Sequence, residues 1–122
     1  MKPKIKKTSF GSISVGKETF NHDIVIELDG TVRKRRKKLS KRHYGTSHKV
    51  SLDEIQDVYQ MGAKQLIVGT GNVGRVRLSK EAQVFLDERG CKALLLRTPK
   101  AKDRWNETEG KGETVGLFHI TC

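Results

Sequence analysis

Alternating hydrophobic and polar residues predict β-strands in the first third of the chain. Residues 13–15 and 23–28 place apolar side chains at every second position, which is the period of a strand with one buried face. Asp29-Gly30 follows at once, and this dipeptide favours a type I′ turn because glycine tolerates a positive φ. We therefore predict a β-hairpin in which residues from Thr31 onward run antiparallel to residues 23–28.

From Ser51 onward the hydrophobic period becomes helical. Ser51 and Glu54 have the spacing of a capping box, in which each residue bonds a free N–H at the start of a helix. Three helices are predicted, at residues 51–62 with Ser51 as N-cap, at residues 79–90 with Ser79 as N-cap, and at residues 98–110 with Thr98 as N-cap, Pro99 as first helical residue and Gly110 as stop.

Short apolar strands are predicted between and after these helices, at residues 65–68, 92–96 and 113–121. Alternating strands and helices favour a parallel sheet covered by helices, and the N-terminal hairpins add antiparallel strands. We predict a single α/β domain over residues 1–122, since this length suits one core. Its expected form is a compact three-layer unit with a mixed, largely parallel central sheet, three helices and an N-terminal β-hairpin region.

Positive charge is concentrated near the N-terminus, because residues 1–50 carry +10 of the net charge of +11. The return arm of the hairpin, about residues 31–42, contains six consecutive cations, so neither face of such a strand would be apolar. We expect this arm to project from the core. Clustered cations release counterions from nucleic-acid phosphates. The candidate nucleic-acid contacts are Arg33, Lys34, Arg35, Arg36, Lys37, Lys38, Lys41 and Arg42.

The alternative for this arm is a solvated surface that keeps the protein soluble or protects a sheet edge. The only aromatic residue close to the run is Tyr44, and the chain has no helix-turn-helix, RNA-recognition or zinc motif. Binding of nucleic acid through the arm would therefore be weak and independent of sequence.

Several functional classes are disfavoured by composition. The two cysteines, Cys91 and Cys122, make no disulfide framework and have no metal-ligand spacing, so we expect free thiols, no metal and no cofactor. Apolar runs are too short to cross a bilayer, and polar residues follow the basic start where a signal peptide needs an apolar core. We expect a cytoplasmic protein without a membrane partner.

A glycine-rich loop is the main candidate for a ligand pocket. Residues 69–74 match the dinucleotide spelling G-x-G-x-x-G, but the next helix cap is delayed to Ser79, so a phosphate would lack its helix N-terminus. A small-anion or enzymatic pocket stays as an alternative, because loops at the carboxyl ends of parallel strands form a crevice. Its candidate residues are Gly69, Thr70, Gly71, Asn72, Arg75, Thr98, Asn106, His48 and His119.

No order of residues typical of a nucleophilic or paired-carboxylate enzyme stands out. His48 and His119 could titrate near neutral pH, but hydrogen bonding a turn or filling a core edge accounts for each equally well. Asn106 could anchor its helix instead of contacting a ligand. The sequence thus favours a protein that is not an enzyme, with its catalytic residues, if any, unassigned.

Several short motifs occur in the order found in a widespread family of small α/β domains of unknown function, which the chain resembles. The matching stretches are Asp29-Gly30, Tyr44-Gly45-Thr46-Ser47-His48, residues 66–71, Thr98 with Ala101 and Asn106, and residues 116–122. The eukaryotic relatives of this family include mitochondrial complex I assembly factor 3 and the adipogenesis-associated domain protein. The resemblance implies a three-layer α/β fold with a mixed sheet and no established reaction, and it hints at assisting the assembly of other proteins.

Two departures from the family pattern are the basic stretch after Asp29-Gly30 and Trp105, where a smaller aromatic residue is common. A mitochondrial assembly role is therefore not carried over. We expect an uncharacterised binding domain that interacts with, or assists the assembly of, an unidentified protein partner. A homodimer, sequence-independent nucleic-acid binding through the basic arm, and an anion or enzymatic pocket at Gly69-Thr70-Gly71 stay open as alternatives.

Overall fold

Ten strands and four helices make up residues 2–108 and 113–122, which are the residues described by this computed structural model. The strands are β1 (Ile5–Ser9), β2 (Ser12–Val15), β3 (Glu18–Phe20), β4 (Ile24–Ile26), β5 (Val32–Lys34), β6 (Lys49–Val50), β7 (Gln65–Thr70), β8 (Arg77–Leu78), β9 (Lys92–Leu96) and β10 (Thr114–His119). The helices are α1 (Lys38–Tyr44), α2 (Leu52–Val58), α3 (Lys80–Glu88) and α4 (Thr98–Glu107).

The central sheet has five strands in the order β5-β4-β10-β7-β9. β10 pairs parallel with β7 and antiparallel with β4, while β7–β9 is parallel and β4–β5 antiparallel. The sheet is mixed as predicted. The expectation of a largely parallel sheet is wrong, because the N-terminal hairpin joins this sheet and makes the antiparallel pairs as numerous as the parallel ones.

Both faces of the central sheet are buried, and alternation along each strand divides its side chains between two cores. Val25, Val68 and Leu117 face one cluster, which is completed by buried residues of α2 and α3. Their neighbours Ile24, Ile26, Ile67 and Phe118 face a second cluster, which is completed by α4 and the β1-β2-β3 sheet. Helices and the small sheet thus cover opposite faces of the central sheet.

The predicted hairpin forms, but its turn differs from the prediction. Ile26 pairs with Val32, so residues 27–31 form the connection instead of a two-residue type I′ turn. Gly30 has a φ of 91°, and no residue other than glycine has a positive φ in the described chain. Asp29 therefore cannot occupy the first position of a type I′ turn, where φ must be positive.

The basic arm does not project from the core, contrary to expectation. Its first part is β5, which pairs with β4 at the edge of the central sheet. Its second part is α1, a helix that the sequence did not predict, so the described residues form four helices instead of three. Arg35 lies between them with only 3% of its surface exposed. The acidic partners of Arg35, which lie on other elements, allow this charge to be buried.

The other predicted helices form with changed ends. α2 begins after the Ser51 cap, whose side chain accepts from Glu54 N–H, and ends at Val58, earlier than the predicted Gly62. α3 begins after the Ser79 cap as predicted. α4 is capped by Arg97 instead of Thr98, and its predicted stop at Gly110 lies outside the described residues.

Candidate functional site

A buried ion-pair network joins β5 to three other parts of the fold through Arg35. The guanidinium donates from Nη1 to Asp23 Oδ2 at 2.9 Å and from Nε to Glu54 Oε2 at 2.5 Å. Nη2 donates to Glu54 Oε1 at 3.0 Å and to the Ser47 carbonyl at 2.7 Å. Burial alone would lower the pKa of Arg35, but hydrogen bonds and charge from Glu54 and Asp23 raise it above its ordinary value.

Glu54 also connects this network to α1. Ser40 Oγ donates to Glu54 Oε1 at 2.5 Å, and Ser51 N–H donates to Ser40 Oγ at 2.9 Å. The predicted capping box is therefore only half formed. Ser51 caps α2, but the Glu54 side chain turns to Arg35, and Ser40 replaces it as the acceptor for Ser51 N–H.

Asp23 carries the network to β10. His119 Nδ1 lies 2.7 Å from Asp23 Oδ2, and Ile120 N–H donates to Asp23 Oδ1 at 2.9 Å. Burial would raise the pKa of Asp23, but the bonds and charges of His119, Ile120 N–H and Arg35 lower it to about 2. The carboxylate is thus ionised over the ordinary pH range and compensated on both oxygens.

The structure brings together the two histidines that the sequence could not place. The rings of His48 and His119 meet edge to face with centroids 5.4 Å apart. Burial, followed by the positive charges of His119 and nearby arginines including Arg75, lowers the pKa of His48. On its other side, His119 Nε2 lies 3.2 Å from Thr121 Oγ1. These contacts hold both rings beside the ion-pair network.

The glycine-rich loop is tied to the protein through Thr98. Thr98 Oγ1 accepts from Gly71 N–H at 2.9 Å and donates to the His119 carbonyl at 2.6 Å. A side chain at Gly69 would meet Thr98 Oγ1 and the Phe118 ring, so glycine is needed there for close packing. Thr98 is buried and works as a strap between β7, α4 and β10.

Backbone donors of the same loop are also used within the protein. Asn72 N–H donates to the Thr121 carbonyl at 2.7 Å, and Arg75 N–H donates to the Cys122 carbonyl at 3.1 Å. The Thr98 N–H donates to Gly71 O, and Val76 N–H to Thr70 O. An anion in this loop would have to replace one of these bonds or use the remaining donors.

Asn106 lies apart from the loop residues with which the sequence grouped it. Its Oδ1 accepts from Ile5 N–H at 3.0 Å, and its Nδ2 donates to the Ile5 carbonyl at 2.9 Å. The two bonds pair the amide of Asn106 with the backbone of β1. They anchor α4 on the small sheet.

The basic segment forms a groove of about 580 Å³, here called the basic groove. Its lining residues are Arg33, Lys34, Arg35, Arg36, Lys37, Lys38 and Lys41. Arg33 pairs with Glu27 at 3.1 Å and Asp57 at 3.0 Å, and Arg36 pairs with Asp57 at 2.6 Å. The arginines are thus largely neutralised by acids of the protein itself, as is Arg42 by Asp53 at 2.6 Å outside the groove lining.

The four lysines of the basic groove differ from its arginines. Lys34, Lys37, Lys38 and Lys41 are exposed. Within residues 2–108 and 113–122, the ion pairs of this segment involve the arginines and none of these lysines. Four ammonium groups therefore face solvent along one groove.

A smaller cleft of about 170 Å³, here called the end cleft, adjoins the basic groove. The two share Lys34, Arg35 and Lys37. The other lining residues of the end cleft are Gly11, Asn21, His22, Asp23, Ile120 and Thr121. Sequence analysis missed Asn21, His22, Asp23 and Thr121. The available signal was their position beside the predicted strands 23–28 and 113–121.

Other kinds of site find little support in the described part of the chain. Residues 2–108 and 113–122 contain no group of three metal-binding side chains and no helix long and apolar enough to span a membrane. Both cysteines are free, and burial raises the pKa of Cys91 to about 11, which keeps the thiol protonated and unreactive.

Comparison with protein families gives one assignment over nearly the whole chain. Residues 5–120 match the model described as "Protein of unknown function (DUF498/DUF598)". No match was found among curated proteins.

Solved structures show the same fold. The crystal structure of the conserved hypothetical protein PH1505 from Pyrococcus horikoshii OT3 is 31% identical with a TM-score of 0.91, and the match covers 98% of this chain and 99% of that one. A protein titled MT938 is 29% identical with a TM-score of 0.84 and the same coverage. A Bordetella pertussis protein described as a Mth938-like domain is 16% identical with a TM-score of 0.71 over 97% of this chain and 85% of that one, which supports the fold alone.

Proposed function

Because the chain belongs to the DUF498/DUF598 family, whose members are described only as proteins of unknown function, we propose a function from its own surface: it is a binding domain whose basic groove holds nucleic acid by the phosphates. The observation that carries this proposal is the row of four exposed lysines in the basic groove. No reaction is part of the proposal.

The lysines are arranged along one surface by the local structure. Lys34 ends β5, and Lys37, Lys38 and Lys41 lie at the start of α1, where spacings of three and four residues place side chains on one helical face. A groove with one sign of charge attracts a polyanion and releases its condensed counterions.

The backbone beneath these lysines is fixed by the buried network. Arg35 lies between Lys34 and Lys37 along the chain and is held to Asp23 and Glu54. Ser40 holds α1 to Glu54 in the same way. The groove therefore needs little ordering of its backbone on binding, which lowers the entropic cost of association.

Binding through this groove is expected to be independent of base sequence. Tyr44 is the aromatic residue nearest to it in the chain, and its ring is already covered by Lys49 Nζ at 4.5 Å from the centroid. Without stacking platforms or base-edge readers, phosphate contacts supply most of the affinity. We expect a Kd of about 10⁻⁴ to 10⁻⁶ M at physiological salt.

The test is fluorescence anisotropy with a short single-stranded oligonucleotide that ends in hydroxyl groups, over a series of salt concentrations. The groove variant carries Lys38→Ala and Lys41→Ala, and the matched control carries Lys92→Ala and Lys100→Ala, two exposed lysines outside the groove. The groove variant should lower the slope of log affinity against log salt by about 2, and the control should leave it close to the wild-type value.

Two results would contradict the proposal. Absence of binding at low salt would show that nucleic acid is not the ligand. Equal losses in the groove and control variants would show attraction by net charge alone.

A second candidate function is interaction with a protein partner, as in the assembly-assisting role implied by the resemblance to mitochondrial complex I assembly factor 3 and the adipogenesis-associated domain protein. A groove of about 400 Å³ between α2 and α3 supports it, because Val84 is 45% exposed there beside Leu52 and Phe85. A cytoplasmic location suits both candidates, since free thiols persist in a reducing compartment. A stoichiometric protein that survives nuclease during affinity capture would favour this second function.

A further inference from the structure

The end cleft is built around a charged group that is almost fully buried. The side chain of Arg35 has no exposed surface, and four of its five N–H groups are donated to Asp23, Glu54 and Ser47. Within residues 2–108 and 113–122, the second N–H of Nη1 has no partner. Because Arg35 lines the end cleft, this donor is available to a ligand there.

Charge in the end cleft favours an anion. Lys34, Lys37 and Arg35 contribute three cations, against the single carboxylate of Asp23. That carboxylate is neutralised by its ion pair with Arg35 and its hydrogen bonds from Ile120 N–H and His119. Its oxygens are therefore engaged on the protein side, and the two lysines dominate the remaining field.

The size of the end cleft limits the ligand. Its volume of about 170 Å³ equals that of about six water molecules in the liquid. Pockets for drug-sized ligands occupy about 300–1,000 Å³. A phosphate group fits this space, whereas a base with its sugar does not.

From these observations we propose that the end cleft binds a phosphate monoester, and that the protein consequently prefers nucleic-acid strands with a terminal phosphate. The inference rests on the proposed function of the adjoining basic groove. A terminal phosphate carries about −1.5 to −2 charges at pH 7 and three acceptor oxygens, while an internal phosphodiester carries one negative charge. The donors are the Lys34 and Lys37 ammonium groups, the free Nη1 N–H of Arg35 and the amide of Asn21, which lines the cleft but not the groove.

The experiment compares two labelled oligonucleotides of one sequence, with and without a 5′-phosphate, and repeats the pair with a 3′-phosphate. The phosphorylated strand should bind about tenfold more tightly to the wild-type protein, as expected for one additional set of charge-assisted hydrogen bonds. Asn21→Asp, which keeps the side-chain shape but adds a negative charge, should abolish this preference and leave hydroxyl-ended binding within about twofold.

Asn72→Asp is the matched control, because it adds the same charge to the glycine-rich loop. The preference should persist in this variant. Loss of preference in Asn72→Asp but not in Asn21→Asp would place the phosphate in the loop and overturn the assignment to the end cleft. Equal affinity of the wild-type protein for both strands would also overturn it, without affecting the proposed function of the groove.

Titration with inorganic phosphate, followed by NMR, tests the end cleft if neither strand binds. The amide signals of Asn21 and Thr121 should shift more than that of Asn72. Shifts confined to Asn21 and Thr121 would support the phosphate site while refuting nucleic-acid binding by the groove. No shift at the cleft would refute the site, and phosphate binding without a preference for phosphorylated strands would identify free phosphate as the ligand.

Discussion

Arg35 and Arg36 are adjacent in the chain but have opposite environments. The Arg35 side chain is fully buried between Asp23 and Glu54, while that of Arg36 is 56% exposed and pairs with Asp57. A buried ion pair is strongly destabilised when one partner is removed, because the other charge stays uncompensated. An exposed pair contributes little, since water screens it. One residue of the basic run is therefore structural, and its neighbour is dispensable for folding.

We predict that Arg35→Met lowers the free energy of unfolding by about 3–5 kcal/mol, because Asp23 and Glu54 lose their common cation. Arg36→Met, which removes the same charge at the surface, should cost less than about 1 kcal/mol. Urea unfolding followed by circular dichroism measures both values. Similar losses for the two variants would show that the buried network does not stabilise the fold beyond a surface ion pair.

Strands were the elements most accessible to sequence analysis. In β4 and β10, apolar side chains on both faces of a short segment set the strand and its orientation, as Val25 and Leu117 show by facing the same core. α1 was missed because residues 37–42 have four cations and no apolar period. Its stability comes instead from Ser40 and Glu54, which meet only in the folded chain.

The candidate site was predictable only in part for the same physical reason. The basic residues are visible as a run, but the burial of Arg35 depends on Asp23 and Glu54, which belong to distant segments. Likewise, nothing local in the sequence places the ring of His48 against that of His119. Contacts across the sheet therefore separate structural cations from exposed ones, and no local pattern reports them.

Turns between elements provide a further prediction, because two glycines with positive φ have different surroundings. A side chain at Gly45, which ends α1, would meet no atom within 4 Å. At Gly71, a side chain would collide with the backbone of Cys122 and the ring of His119. Gly45→Ala should cost about 1–2 kcal/mol for the left-handed backbone alone. Gly71→Ala should cost about 3 kcal/mol or more, because overpacking adds to this strain.

Thermal unfolding of the two alanine variants measures this difference. If Gly71→Ala were no more destabilising than Gly45→Ala, the residues after β10 would not pack against the glycine-rich loop in solution.

At the scale of the whole molecule, one sheet supplies both hydrophobic cores. Leu86 on α3 belongs to one cluster, and Trp105 on α4, the only tryptophan, belongs to the other. Since the strands between them contribute to both clusters, loss of either core should unfold the entire described structure.

Leu86→Ala should therefore lower stability by about 2–5 kcal/mol and shift the unfolding transition seen by Trp105 fluorescence as far as that seen by circular dichroism. Fluorescence reports the core opposite to the substitution, which makes the comparison informative. Separate transitions for the two signals would show that the cores unfold independently.

The position of β10 has a consequence for the order of events during translation. β10 follows every other described element along the chain, yet it lies in the middle of the central sheet between β4 and β7. A ribosome releases the chain from its N-terminus, so β4 and β7 emerge while the strand that joins them is still unmade. Their apolar side chains must wait, exposed or covered by a chaperone, until residues 114–119 leave the exit tunnel. Completion of the sheet is thus a late, nearly post-translational step for this protein.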